Sequence, residues 1–204
     1  MIVRKYLLAI ISSILLLTAC GHSAPTNYYI LESSYNHAVP AKPIKSSLYV
    51  GVGPVTTAKY LDKQGIVIRD NTHELSYSDF NYWAEPLDDN TQRVLSDNLS
   101  YLLPKAQVVT YPWRARNKVN YQVKVDVIRF DTDVAGNSVL KAQWGIYTAD
   151  KQVLVSKTGI YKATVQMPNN YQSIATAMSE NLQSLSQDIA SSLQQRIKLF
   201  TLEK

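Results

Sequence analysis

Apolar and polar residues along this chain fall into two rhythms, one of period near 3.6 and one of period 2, and each predicts its own elements. The clearest helical rhythm lies near the C-terminal end. Ile174, Met178, Leu182, Leu185, Ile189, Leu193 and Ile197 follow one another in steps of three and four, with Ser, Gln, Glu and Asp between them. That spacing sets one apolar stripe along a helix beginning after Pro168-Asn169-Asn170. A stripe this regular can serve a coiled coil or a membrane surface, but its polar face is rich in Ser and Gln and poor in Lys and Arg, so packing on a sheet is expected. Leu87, Val94, Leu95, Leu99, Leu102 and Leu103 predict an earlier helix. Pro86 suits its first position, Asp88 and Asp89 favour the positive end of its dipole, and Pro104 stops it.

The period-2 rhythm predicts strands. Tyr121 to Val127 alternates strictly, and the phase slips at Ile128-Arg129-Phe130, the mark of a bulge. Leu140, Ala142, Trp144 and Ile146 alternate with Lys141, Gln143 and Gly145, and a third strand follows within Gln152 to Val165. Short turns at 135–137 and 149–151 join the three into an antiparallel meander with one buried and one wetter face. Upstream, Ile66–Arg69 and Glu74–Tyr77 flank a hairpin turn at residues 70–73. Leu48 to Val55 reads as a strand whose Gly51-x-Gly53 invites a phosphate-loop reading. It lacks a third glycine and a following Lys-Ser/Thr, and Pro54 comes next, so an edge strand or a bulge is expected. Tyr28-Tyr29-Ile30-Leu31 predicts a short strand docked on the domain. The expected fold class is α+β: an antiparallel or mixed sheet with a C-terminal meander, packed by two long amphipathic helices.

The N-terminal segment changes the picture from fold to location. Arg4 and Lys5 precede an apolar run from Tyr6 to Leu17 broken only by Ser12 and Ser13, and the run closes on Leu17-Thr18-Ala19-Cys20. This is the layout of a signal peptide. The 14 residues from Tyr6 to Ala19 fall short of the roughly 20 that cross a hydrocarbon core. Leu-x-Ala-Cys is the pattern of a bacterial lipobox, so residues 1–19 are expected to be cleaved and Cys20 lipidated. One acyl chain anchors only marginally, and the several chains such a cysteine carries would anchor firmly. Gly21 stands where an inner-membrane retention signal commonly has Asp, so a periplasm-facing place on the outer membrane is expected. Residues 20–45, with Pro25, Pro40 and Pro43, read as a tether whose roughly 25 residues would reach about 80–90 Å if fully extended. Residues 46–204 read as a single domain.

Charge and chemistry subtract possibilities. The formal net charge of +5 includes Arg4 and Lys5 of the signal segment, and the remaining charges are interspersed. A nucleic-acid partner would need a clustered basic footprint, so none is expected. Cys20 is the sole cysteine, which leaves no thiol for a disulfide, a nucleophile or a zinc site. His22 and His37 lie in the tether and His73 in a turn, so no histidine pair has a metal-ligand spacing. Glu85, between Trp83 and Pro86, is expected to cap the following helix or pair with Arg93. No catalytic residues and no metal site emerge. Trp113, following Pro112 in a loop, remains open between a core role and a partner-binding surface.

Taken in order, the lipobox at Cys20, Tyr28-Tyr29-Ile30-Leu31, Val52-Gly53-Pro54-Val55, Tyr60-Leu61-Asp62-Lys63 through Ile68-Arg69, Tyr82-Trp83-Ala84-Glu85-Pro86-Leu87, Tyr111-Pro112-Trp113, Phe130-Asp131 and Leu140-Lys141-Ala142-Gln143-Trp144 span nearly the whole mature chain. In this order and spacing the chain resembles the PqiC/YmbA-type lipoproteins, auxiliary components of ABC-type transport. The resemblance implies a non-catalytic lipoprotein without a cofactor. It also implies partners: an MCE-domain periplasm-spanning protein and a multipass inner-membrane protein that together move lipids between membranes. A surface including Trp113, Arg114 and Arg116 is expected to meet the MCE-domain partner, because aromatic and guanidinium groups are enriched at interface hot spots. The alternative is a periplasmic module that itself holds a lipid or amphiphile between sheet and helices. Whether the chain also forms a homo-oligomer is left open by the sequence.

Overall fold

A computed structural model describes residues 25–35, 48–113 and 119–202 of the 204-residue chain. Its elements in order are β1 (Asn27–Tyr29), β2 (Tyr49–Thr57), a single 3₁₀ turn (Lys59–Leu61), β3 (Gly65–Asn71), β4 (Glu74–Trp83), α1 (Leu87–Leu102), β5 (Gln107–Thr110), β6 (Tyr121–Asp133), β7 (Asn137–Thr148), β8 (Val153–Thr164) and α2 (Tyr171–Leu202). The fold is α+β, with the described strands joined in one mixed sheet of eight.

The sheet is organised around β6. Its alternating Val123, Val125 and Val127 bury one face, and β7 pairs antiparallel along one whole side, from Tyr121 opposite Thr148 to Thr132 opposite Ser138. A strand has two sides, so β2 and β3 share the other. Parallel β2 takes residues 121–127 of β6, and parallel β3 takes only Thr132 and Asp133. The sheet therefore forks at residues 128–131, with one branch continuing from β2 to β5 and the other from β3 through β4 to β1. The fork coincides with the bulge that the slipped alternation at Ile128 foretells, a register shift between Val127 and Arg129.

Of the two outcomes expected at Gly51–Pro54, an edge strand or a bulge, the structure shows the bulge: β5 and β6 flank β2 on both sides. Pro54 is tolerated in this interior position because the ladder with β6 is interrupted between Val52 and Val55, so the missing N–H falls in a bulge. The first helix begins one residue later than expected: Pro86 is the cap of α1 and Leu87 its first helical residue.

Both helices lie on one face of the sheet. α1 packs on β2 and β5, α2 packs on β7 and β8, and the helices touch each other. Leu182, Leu185, Ile189 and Leu193 of the α2 stripe are wholly buried, as are Val94, Leu95 and Leu99 of α1. Each such side chain contributes about 1.5–3 kcal/mol through removal from water.

The chain segment before β2 is built into this helix layer. β1 extends β4 as a parallel edge strand. Leu31 is then wholly buried, its N–H donating to Asn90 Oδ1 at 2.7 Å and its carbonyl accepting from Asn90 Nδ2 at 3.0 Å. The Glu32 N–H donates to Ser179 Oγ at 3.2 Å, and the Ser33 hydroxyl to Asn98 Oδ1 at 2.7 Å. Asn90 and Asn98 belong to α1 and Ser179 to α2, so residues 31–33 form a strap between the helices. Among the described residues, Asn27 is the first paired in the sheet, and the segment from it to Ser33, which includes the docked strand expected at 28–31, is held by the domain.

Candidate functional site

The glycine pair of β2 has a packing role. A Cβ on Gly51 would stand 2.7 Å from Cζ3 of Trp113, so the missing side chain is what lets the indole lie against the strand. Gly53 holds φ at +115°, a conformation few other residues adopt. Gln92 of α1 clamps this region, accepting from the Val55 N–H at 3.3 Å and donating to the Tyr111 carbonyl at 2.8 Å. Trp113 is half-buried and stands edge-on to the exposed Tyr111, with ring centroids 5.4 Å apart. Of the expected partner-binding residues, Trp113 thus stands two residues after the secured Tyr111, while Arg114 and Arg116 lie outside the described residues. Cys20, His22 and His37 also lie outside them.

A charged cluster occupies the fork of the sheet. Asp131 is wholly buried, and its carboxylate accepts from Arg69 Nε at 3.0 Å, Arg69 Nη2 at 2.7 Å, Arg129 Nε at 2.8 Å and the Tyr60 hydroxyl at 3.0 Å. The Tyr60 oxygen in turn accepts from the Phe130 N–H at 3.1 Å. Burial pushes the Tyr60 hydroxyl up to about 12, with the nearby Asp131 charge acting the same way. The hydrogen bond to Asp131 raises Arg69 above the usual guanidinium value. Every oxygen lone pair that could serve as a base is engaged by a donor, so the cluster is arranged to hold charge in place. Sequence reading missed it, since its members lie up to 71 residues apart. The available signal was an Asp inside a strand, where that residue is depleted.

A second cluster joins the far edge of the sheet to α2. Trp144 Nε1 donates to the Tyr161 oxygen at 3.0 Å, Tyr161 donates to Asp188 Oδ2 at 3.0 Å, and Lys157 Nζ donates to Asp188 Oδ1 at 3.2 Å and Ser192 Oγ at 3.1 Å. Burial, reinforced by Asp188, raises the Tyr161 hydroxyl well above its ordinary value. Glu85 pairs with Arg93 at 2.7 Å, as expected. His73 is exposed in the β3–β4 turn. Among the described residues no three His, Cys, Asp or Glu side chains gather as a metal site would require, and no helix is long and apolar enough to cross a membrane. A cleft of about 320 Å³ lies over β2, β6 and β7, lined chiefly by Pro54, Thr56, Lys124, Asp126, Gln143 and Tyr147. The polar lining residues Lys124, Asp126 and Gln143 alternate with the core positions Val123, Val125, Val127, Ala142 and Trp144, so this cleft is on the face away from the helices.

A mixed, forked sheet with two helices on one face and an N-terminal strap between them defines an α+β domain. Residues 29–190 match the family described as the ABC-type transport auxiliary lipoprotein component, and the chain belongs to that family. Two crystal structures share the fold. One, of an uncharacterized protein, is 20% identical, with a TM-score of 0.70 over 83% of this chain and 99% of that one. The other, of a Xanthomonas campestris protein, is 18% identical, with a TM-score of 0.64 over 84% of this chain and 99% of that one. A search of curated proteins finds no match.

Proposed function

We propose that this protein is a non-catalytic lipoprotein of the outer membrane, anchored through Cys20 and facing the periplasm. There it is an accessory component of an intermembrane lipid transport system and docks an MCE-domain protein at that membrane, with a multipass inner-membrane protein completing the assembly. The observation that carries this reading is membership of a transport-auxiliary lipoprotein family over residues 29–190, joined to the lipobox pattern ending at Cys20. The polar clusters are consistent with it: Asp131 and Asp188 both spend their oxygens on internal donors, and what they do is hold strands and helices together. The alternative, a lipid held between sheet and helices, is disfavoured because Phe130, Leu140, Trp144, Met178, Leu182 and Leu185 already fill that layer.

The test is capture of the lipidated full-length chain from detergent-solubilised membranes, with identification of whatever is retained. Recovery of an MCE-domain protein and a multipass membrane protein supports docking. Efficient recovery of the bait from membranes with neither protein present overturns it. Native mass spectrometry of the Cys20→Ala variant adds the other arm, since a co-purifying lipid would favour the binding-module reading.

A further inference from the structure

The edge at which the chain enters the fold carries exposed aromatic side chains. Tyr28 is 67% exposed, Phe80 42% and Ile30 39%. Tyr28 stands opposite Tyr82 in the β1–β4 register, with ring centroids 6.1 Å apart, and Phe80 lies two residues before Tyr82 on the same strand. The Tyr82 hydroxyl donates at 2.6 Å to the carbonyl of Asp79, the residue next to Phe80. β1 is the terminal strand of its branch, so this patch forms a rim of the molecule.

Chain length says what can cover the rim. Among the described residues Asn27 is the first paired in the sheet, and the seven steps from residue 20 to residue 27 span at most about 25 Å even when fully extended. An acylated Cys20 lies at a bilayer surface, so the rim is held within that distance of it. β8 ends the sheet five strand spacings from β1, about 24 Å away. A short covalent link gives the rim an effective concentration on the order of mM at the membrane, so a contact too weak to act alone becomes populated. Tyrosine rings, apolar in body and polar at the tip, suit the headgroup level of a bilayer.

We propose that Tyr28, Tyr82, Phe80 and Ile30 rest in the headgroup layer of the bilayer that holds Cys20, so that the β1 edge faces the membrane and the β8 edge faces away. This rests on the reading of Cys20 as the lipidated residue. The oriented contact would act as a second membrane signal beside the acyl chains and would fix which surfaces a soluble partner meets.

The experiment uses the full-length lipidated protein in phosphatidylcholine vesicles containing a headgroup-nitroxide lipid. Acylation blocks the thiol of Cys20, so a cysteine introduced by Tyr28→Cys, Phe80→Cys or, as a control on β8, Ile160→Cys accepts an environment-sensitive fluorophore alone. The expected result is nitroxide quenching at least about two-fold stronger at positions 28 and 80 than at 160, with blue-shifted emission there. Quenching at 28 and 80 no stronger than at 160, on protein whose intact mass shows acylation, overturns the orientation and leaves the anchor reading standing. A mass showing an unmodified Cys20 overturns the anchor reading, and the orientation falls with it.

Discussion

Arg69 holds Asp131 through two parallel hydrogen bonds, at 3.0 and 2.7 Å, at the point where β3 joins β6 through only two residue pairs. So short a ladder cannot by itself fix the angle of the β3–β4–β1 branch. The paired, fork-shaped contact supplies the missing constraint, because a guanidinium and a carboxylate meet bidentately in one plane. Arg129 and Tyr60 complete the cage from β6 itself and from the turn after β2.

Asp131→Asn should therefore destabilise the protein strongly. It leaves two guanidinium groups around a site without its negative charge, and breaking one partner out of a buried pair costs about 3–5 kcal/mol. Because Arg69 and Arg129 retain some solvent access, the low end of that range is expected. Urea denaturation measures it, and a midpoint equal to wild type would mean the fork is held by packing alone.

The two polar clusters set an alkaline limit. Tyr60 titrates near 12 in the folded chain against an ordinary 10.0, and Tyr161 is also raised. The folded state binds these protons more tightly than the unfolded state, so their stabilisation is complete below pH 10, and the Tyr60 part is lost as pH rises toward 12. Urea midpoints should fall across that window, and Tyr60→Phe should flatten the fall. A wild-type midpoint constant through the window contradicts the assignment.

Asn90 is the clasp of the strap, giving and receiving one hydrogen bond with the backbone of buried Leu31. Asn90→Ala strands both backbone groups, at about 1–3 kcal/mol for each buried group left unpaired. Amide exchange at residues 27–33 should accelerate well beyond that of β6. Uniform acceleration across the chain would show instead that strap and core open together.

Leu185→Ala or Ile189→Ala should cost about 2–5 kcal/mol, since both side chains are wholly buried between α2 and the sheet. Denaturant midpoints within error of wild type for both would contradict the packing.

The α2 stripe, the hairpin of β3 and β4, and the meander were legible because their cues are local: helical spacing, alternation and turn residues within a few positions. Even the bulge at Ile128 showed as a slip of phase. The central position of β2 was not legible, because Gly51, Gly53 and Pro54 are edge-strand residues by composition and their tolerance depends on parallel neighbours more than 50 residues away. β5 was overlooked for a related reason, as four residues between Pro104 and Pro112 carry too little pattern to stand out. The Asp131 cluster is a purely tertiary object. Its residues belong to two stretches of sequence, Tyr60–Arg69 and Arg129–Asp131, and nothing local to either indicates that they converge.

The partner surface is the remaining question, and Trp113 is where it can be tested. Its indole is seated on Gly51 beside exposed Tyr111, whose carbonyl accepts from Gln92. A rigid aromatic beside arginines costs little entropy to order on binding and suits an interface hot spot. Changing Trp113, Arg114 and Arg116 together to Ala should abolish co-purification of the proposed MCE-domain partner while membrane attachment persists. Because the indole also covers Gly51, a modest fall in stability is expected from the Trp113 change, and the Arg114→Ala, Arg116→Ala double variant serves as the control that leaves that contact intact. Loss of capture in the double variant, with its urea midpoint unchanged, locates the surface. Wild-type capture by the triple variant would place the docking surface elsewhere on the domain.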